Sequence, residues 1–552
     1  MKKAAVLLAA ALCLYAADAA IDYAAEGKLW WSHIQYLASD SLEGRGIESD
    51  DFRKAVAYVS SQFDRAGLKP AGTEGFQQPI AFQSRTLVPE DSSLALVRNG
   101  EVQPLELGAD ASLSPRDQQS ALNDVPMVFV GYGLVIPEAH YDDLAGLDLH
   151  NKIAVYINAA GPVQAPDNLK SHYSSSGERW AALRKAGALG VAVIMNPRTA
   201  APNQAGNGGG RGAGRGAGRG AAAGRGGQRA SRPAIVLADP ALSETEGQHI
   251  SLTITRAGGA KFFEGAPHSY DEILTLAQAN QPLPHFALPA ALRAKTTVRQ
   301  ASFMASNTIG VLPGSDPRLK NEYVIMSAHL DHLGLGRPVN GDNIYNGAMD
   351  DASGVASVIE VARLMKATGA HPARSILFLA VTGEEEGELG SRYFAAHPTV
   401  PEKQIVADIN LDMFLPLYPL KYLEVQGLAE SSLGDAIRAA AEPFGVEVQS
   451  DREPEQNRFI RSDQYSFIRR GVPALAFKFG YQFGSPEEQI RKTWVKDVYH
   501  KPNDDLNQPV DQAAAAKFDR VILTLLERIA DNPARPHWNN DSFFRRFAEA
   551  TR

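Results

Sequence analysis

The sequence predicts an α/β protein: a mixed, mostly parallel sheet flanked by helices, with a smaller β-rich unit inserted ahead of it. Three observations lead there. In the C-terminal half, "NTIGVLPG", "EYVIMSAHLDH", "RSILFLAVTGEEEG", "EKQIVADINLDM" and "GVPALAFKFG" are apolar runs of strand length. Between several of them lie segments of helical periodicity, notably "DASGVASVIEVARLMKATG" and "SSLGDAIRAAAEPFG". Strands apolar on both faces need cover on both faces, the condition of a largely parallel sheet. Upstream, "VPMVFVGYG", "NKIAVYINA", "GVAVIMNP" and "RPAIVLAD" are strand-like, with one helix, "ERWAALRKAGAL", among them.

The elements follow in order. The chain has 552 residues, 44% of them hydrophobic and 21% charged, enough for a large core. It starts "MKKAAVLLAAALCLYAADAA": two lysines, a short apolar run, then Ala17-Asp18-Ala19. This is the pattern of a secretory signal over residues 1–19, so the protein is expected in the periplasm or secreted. The run is too short for a permanent span, and no later segment reaches the required length. The single cysteine, Cys13, falls inside that signal, so the mature chain would have no thiol for a disulfide, a nucleophile or a metal. Leu12 precedes it where a lipid-attachment motif wants a small residue, which disfavours a lipid anchor. Losing Lys2, Lys3 and Asp18 takes the formal charge from −8 to −9, a balance that disfavours nucleic-acid binding.

Residues 20–124 give helices over roughly 27–75, where Ala55, Val56, Val59, Phe63 and Leu68 recur near helical spacing, and then short strands and turns. Residues 125–255 form the inserted unit. It is interrupted at 206–229 by "GNGGGRGAGRGAGRGAAAGRGGQR", whose glycine density opposes a packed core. An RGG-like nucleic-acid contact is one reading of that run. The absence of aromatic residues and the export signal favour a low-complexity insertion instead. Residues 256–552 complete the chain.

Functional groups of parallel sheets gather beyond the strand C-termini. "YVIMSA" runs into His329, with Asp331 two residues on, a spacing that suits a metal ligand and a neighbouring carboxylate that orients it. Asp350 stands at the turn before a helix, Glu384 and Glu385 follow "SILFLA", Asp412 closes "QIVADINLD", and His500 sits in the polar turn "VYHKPNDD". Two histidines with carboxylates and no thiolate suit Zn²⁺ or another divalent transition ion. Four ligands would make one site, and a fifth, bridging carboxylate would make two.

The stretches "SAHLDHLG", "NGAMDDASG", "TGEEEGELGS", "NLDM" and "VYHKPNDD", in this order, resemble the M28 family of dizinc metallopeptidases, aminopeptidase-like enzymes of the zinc-exopeptidase (phosphorylase/hydrolase-like) fold. "EGRG", "FDRAGLKPAG" and "RSDQYSFIRRGVPAL" also resemble family segments, and the unit at 125–255 resembles a protease-associated domain. The resemblance implies two zinc ions bridged by Asp350, with His329 and Asp412 on one and Glu385 and His500 on the other. It makes Glu384 the general base, Asp331 the carboxylate beside His329, and Tyr499 a donor to the tetrahedral intermediate. Glu386 receives no role and reads as solvated or as a loop contact. Peptides are the implied substrates.

Gln464 stands where many relatives have histidine, which points to a changed substrate-side contact, and residues 206–229 and 481–498 look individual. Few basic residues accompany the ligand motifs, which favours an aminopeptidase. Arg461, Arg469 and Arg470 keep a carboxypeptidase or dipeptidase open. Every ligand and base position is filled, which argues against an inactive binding protein, and the complete two-metal set argues against single-zinc glutaminyl cyclisation.

Overall fold

The computed structural model describes residues 21–117, 119–198 and 233–550, so the predicted signal and the Gly/Arg-rich run at 206–229 lie outside the described residues. Tyr323–His329 and Ser375–Val381 are buried along almost their whole length, as continuous apolar runs require. They pair in parallel, and Tyr323–His329 pairs in parallel with Ile405–Asn410, which in turn pairs in parallel with Ala474–Phe479. These four make the centre of a ten-stranded mixed sheet. Val298–Leu312, Gln77–Leu87 and Ala234–Leu237 extend one side antiparallel. On the other side Tyr422–Gln426 joins antiparallel, with Glu447–Ser450 parallel beyond it. The sheet is mixed as predicted, with parallel pairing in its centre and at one edge.

Helix Ser353–Thr368 is buried around most of its circumference and stops at Gly369, whose φ of +66° is the left-handed end that glycine accommodates. Helices Tyr23–Leu37 and Gln512–Asp531 pack beside it. Trp30 Nε1 donates to Ser353 O (3.2 Å) and Ser357 Oγ (3.0 Å), which fixes the N-terminal segment to the main body. Helix Asp50–Arg65 is capped by Ser49 and buries Ala55, Val56, Val59 and Phe63 of the stripe read from the sequence, together with Phe52. Each such fully buried apolar side chain contributes roughly 1.5–3 kcal/mol. Among the described residues no helix is long and apolar enough to cross a membrane.

A second, eight-stranded sheet has the order Glu101–Leu105, Ser93–Arg98, His285–Thr296, Ser120–Val130, Ile153–Asn158, Gly190–Met195, Ile250–Ile254, Ala111–Leu113. The chain enters it from Gln77–Leu87 and leaves into Val298–Leu312, which are antiparallel neighbours in the large sheet. The second sheet therefore draws its strands from between residues 93 and 296, on both sides of the 125–255 window as well as within it. Ala234–Leu237 lies inside that window but pairs at the edge of the large sheet instead. The physical reason the window misses the outer strands is exposure. His285–Thr296 alternates between buried and exposed residues and carries no continuous apolar run to announce it.

Candidate metal centre

Three adjacent parallel strands end on one side of the large sheet, and each delivers a candidate. Tyr323–His329 ends on His329, Ser375–Val381 leads to Glu384 and Glu385, and Ile405–Asn410 leads to Asp412. Asp350 comes from the turn Ala348–Ala352 ahead of helix Ser353–Thr368, and His500 follows helix Pro486–Asp497.

The side chains converge. His329 Nε2 lies 3.1 Å from Asp350 Oδ1 and 3.7 Å from Asp412 Oδ1. His500 Nε2 lies 2.9 Å from Asp350 Oδ2 and 3.1 Å from Glu385 Oε1. Asp350 thus turns one oxygen toward each group. His329 Nε2, both Asp350 oxygens and Asp412 Oδ1 are buried and make no hydrogen bond, because these close approaches miss hydrogen-bond directions. A four-coordinate zinc with bonds of about 2.0–2.1 Å holds its ligand atoms about 3.3 Å apart. The spacing here fits divalent transition-metal ions, and the nitrogen and carboxylate donors suit them chemically.

The electrostatics fit the same reading. Burial and the neighbouring Glu385 push the Asp350 carboxyl up, but His329 and His500 beside it hold it well below the usual carboxylate range. Burial likewise opposes ionisation of Asp412, and the Lys478 ammonium with His329 reverses this. Lys478 is itself buried, its pKa brought down to about 8, and its Nζ donates to Asp412 O at 2.6 Å. So many buried carboxylates beside so few cations make a strong case for a bound positive ion.

The remaining predicted residues fall nearby. Asp331 accepts from Glu384 N through Oδ1 (3.1 Å) and from Glu385 N through Oδ2 (3.2 Å). Its link to His329 runs through the main chain, since His329 Nδ1 bonds to Asp331 O at 3.0 Å, so the carboxylate positions the glutamate pair and leaves the imidazole to the carbonyl. Burial pushes the Asp331 carboxyl up to about 6. Glu384 is fully buried, and its carbonyl accepts from Gly387 N and Glu388 N, both at 2.9 Å. Tyr499 stacks on His500 with centroids 3.7 Å apart. Glu386 is buried and so does not match its solvated reading; its carbonyl accepts from Arg116 of the inserted unit at 3.0 Å. Gln464 is consumed inside the fold. It accepts from Asn410 Nδ2 (2.7 Å) and donates to Arg458 O (3.1 Å) and Phe459 O (3.0 Å), so it offers no substrate-side contact.

Three residues without a sequence-level role prove to be close. His332 is buried, with Nδ1 2.9 Å from Glu385 Oε1 and 3.9 Å from Asp350 Oδ2. Asp504 holds the Asp350 turn, accepting from Met349 N (2.9 Å) and Asp350 N (3.1 Å). Arg45, fully buried, donates to Leu330 O (2.8 Å), Asn346 O (2.6 Å), Gly347 O (2.9 Å) and Leu37 O (2.5 Å), clamping the His329 and Asp350 turns together. The string "EGRG" was the only sequence signal for Arg45, and "HLDH" the only one for His332.

Residues 307–526 match the profile of peptidase family M28. The chain carries an M28 peptidase domain. Among curated proteins it is similar to a probable leucine aminopeptidase 2 of Aspergillus oryzae, 25% identical over 267 residues, covering 46% of this chain and 51% of that one. It is also similar to a probable zinc metalloprotease of Pyrenophora tritici-repentis, 37% identical over 259 residues, covering 41% and 57%. The chain spans about half the length of the curated relatives it matches. Among solved structures, an aminopeptidase from Aneurinibacillus sp. strain AM-1 superposes with a TM-score of 0.52 at 20% identity, over 92% of this chain and 95% of that one. That likeness shows a shared fold over most of the chain.

Proposed function

We propose that this chain is an exported dizinc aminopeptidase that removes N-terminal residues from peptides. One observation carries the reading: Asp350 divides its two oxygens between two donor groups, one with His329 and Asp412 and one with Glu385 and His500. In this reading those five residues hold the two Zn²⁺ ions. Bound zinc supplies an acidified water and polarises the scissile carbonyl. Glu384 takes the water's proton on its carboxylate and passes it to the leaving amine. The Asp331 carboxylate, bound to both glutamate N–H groups, fixes where Glu384 stands. The Tyr499 hydroxyl donates to the oxyanion, its ring steadied against His500. We assign the inserted unit as a protease-associated domain that borders the cleft, supported by the Arg116 contact to the glutamate loop. Curated relatives of Aspergillus oryzae and Bacillus subtilis are named aminopeptidases, and one of Xenopus laevis is named carboxypeptidase Q, so the names lean to the aminopeptidase reading and keep the alternative in the test.

The test is a peptide panel with Zn²⁺ present. Free-amine peptides should be cleaved from the N-terminus, N-acetylated ones spared, and C-terminally amidated ones cleaved normally. Cleavage of acetylated but not amidated peptides would convert the reading to a carboxypeptidase.

A further inference from the structure

Asp350 Oδ2 and Glu385 Oε1 are flanked by a second imidazole besides His500. His332 Nδ1 lies 2.9 Å from Glu385 Oε1 and 3.9 Å from Asp350 Oδ2, and its ring centroid is 5.8 Å from that of His500. His332, Asp350 and Glu385 therefore form a donor group as compact as His329, Asp350 and Asp412. The ordinary alternative is a histidine that donates a hydrogen bond to Glu385 and orients it. The geometry opposes that. Neither ring nitrogen of His332 makes a well-directed hydrogen bond, although the side chain has no exposed surface, so the 2.9 Å approach to Glu385 Oε1 is a charge contact rather than a donated hydrogen bond. The ring is also held in place. His332 N donates to Arg45 O at 3.2 Å, and a Cβ on Gly347 would stand 2.5 Å from the His332 ring, so the backbone passes too close for the imidazole to swing aside.

We propose that His332 is an additional protein ligand at the metal position shared by Asp350 Oδ2, Glu385 and His500. The proposal rests on the two-metal reading above. It makes the two positions unlike: one receives four protein donors, the other only His329, Asp350 and Asp412. Closed four-donor zinc sites hold their metal firmly, whereas three-donor sites keep a place open for water or substrate. The His332 position is thus the retentive one, and the His329 position the exchangeable one.

The experiment is stepwise metal binding to the full-length protein, measured by chelator competition and elemental analysis, with zinc X-ray absorption to count imidazoles. His332→Ala is compared with His332→Asn, which keeps a hydrogen-bond donor but ligates poorly. The wild type should bind two ions with unequal affinity, three imidazoles being shared between them. Both variants should weaken the tighter step by about 100-fold or more, at or beyond the range for losing an outer-sphere partner, and leave the looser step unchanged. Normal tight binding in His332→Asn, with two imidazoles counted in the wild type, would overturn the ligand role and leave the two-metal reading standing. A single ion at saturation in the wild type would remove the two-metal reading and this proposal with it. Circular dichroism of the metal-free variants separates lost affinity from lost fold.

Discussion

Two buried histidines, His172 and His332, occupy opposite kinds of surroundings. His172, in helix Asp167–Ser174 of the inserted unit, has Nδ1 2.5 Å from Tyr465 OH of the M28 domain. Tyr173, Phe543 and Phe547 surround its ring, and burial, then Arg469 and Arg546, hold its pKa down to about 4. It is a neutral imidazole that closes a junction. His332 faces Glu385 and Asp350, makes no hydrogen bond, and sits among carboxylates. Burial alone therefore does not mark a ligand. What sets His332 apart is burial together with carboxylate oxygens that converge on its ring. Among the described residues, both compact His/Asp/Glu groups lie past the strands of the large sheet.

The largest expected effect tests whether that crowded end is chemical. Glu384→Gln keeps the size of the side chain and removes the oxygen that accepts a proton. Turnover should fall by roughly two to four orders of magnitude with two metals still bound. Glu385→Gln should instead lower metal content. Near-normal turnover in Glu384→Gln, beside a metal-loaded but inactive Glu385→Gln, would show the two roles reversed.

A smaller effect is expected at Arg45, which links the two ligand-bearing turns without touching a candidate ligand's side chain. Arg45→Met leaves four buried carbonyl contacts without their donor and should cost about 3–5 kcal/mol, the scale for breaking a buried charged network. Arg45→Lys keeps the charge but not the fork, and should recover only part. Calorimetry with and without zinc reads this directly. If Arg45→Met melted like the wild type and bound zinc normally, the clamp would have no mechanical role.

Much of this architecture is legible in the chain because burial on both faces writes itself as unbroken apolar runs. Tyr323–His329, Ser375–Val381 and Ile405–Asn410 could be read directly, and so could the residues just past their ends. The inserted sheet was only partly visible. Its flanking strands, such as Glu101–Leu105 and His285–Thr296, expose alternate or successive residues and look like loops. His332 stayed hidden for another reason. It lies beyond the strand end at His329, where two-residue alternation no longer applies, and its direction depends on the distant Arg45 and Gly347. Asp504 was one of two adjacent acids in a turn, and only the tertiary fold shows that it, rather than Asp505, reaches the Asp350 backbone.

The contrast between the histidines also predicts a pH dependence. The folded pKa of His172, about 4, lies below its ordinary 6.5, so the unfolded chain takes up a proton that the native junction refuses. Its contribution is complete above pH 6.5 and is lost as the pH falls toward 4, up to about 3 kcal/mol. Glu178, 3.9 Å away, and Glu138 offset only part of the repulsion from Arg469 and Arg546. Urea unfolding of the metal-free protein at pH 7.5 and 4.5 would measure it, chelation excluding acid release of metal as the cause. His172→Gln should flatten the difference. An unchanged pH slope in that variant would move the acid sensitivity elsewhere.

The smallest effect is expected from deleting residues 206–229. Every residue assigned to chemistry falls between His329 and His500, and this run contains glycine, arginine and alanine, with Asn207 and Gln228, and no large apolar side chain. Ordering such a segment costs about 1–2 kcal/mol per residue, and its composition offers little apolar surface to offset that. Neither the fold nor the metal ligands are therefore expected to depend on it. The deletion should leave Tm and the hydrolysis of a small chromogenic amide within about twofold of the wild type, the scale of a change remote from core and site. Its arginines are positively charged, so any effect should grow with the length and negative charge of a peptide substrate and shrink as salt is added. A collapse of small-amide hydrolysis, with Tm and zinc content unchanged, would instead place this run beside the reacting bond, and the inserted unit would then share in the site.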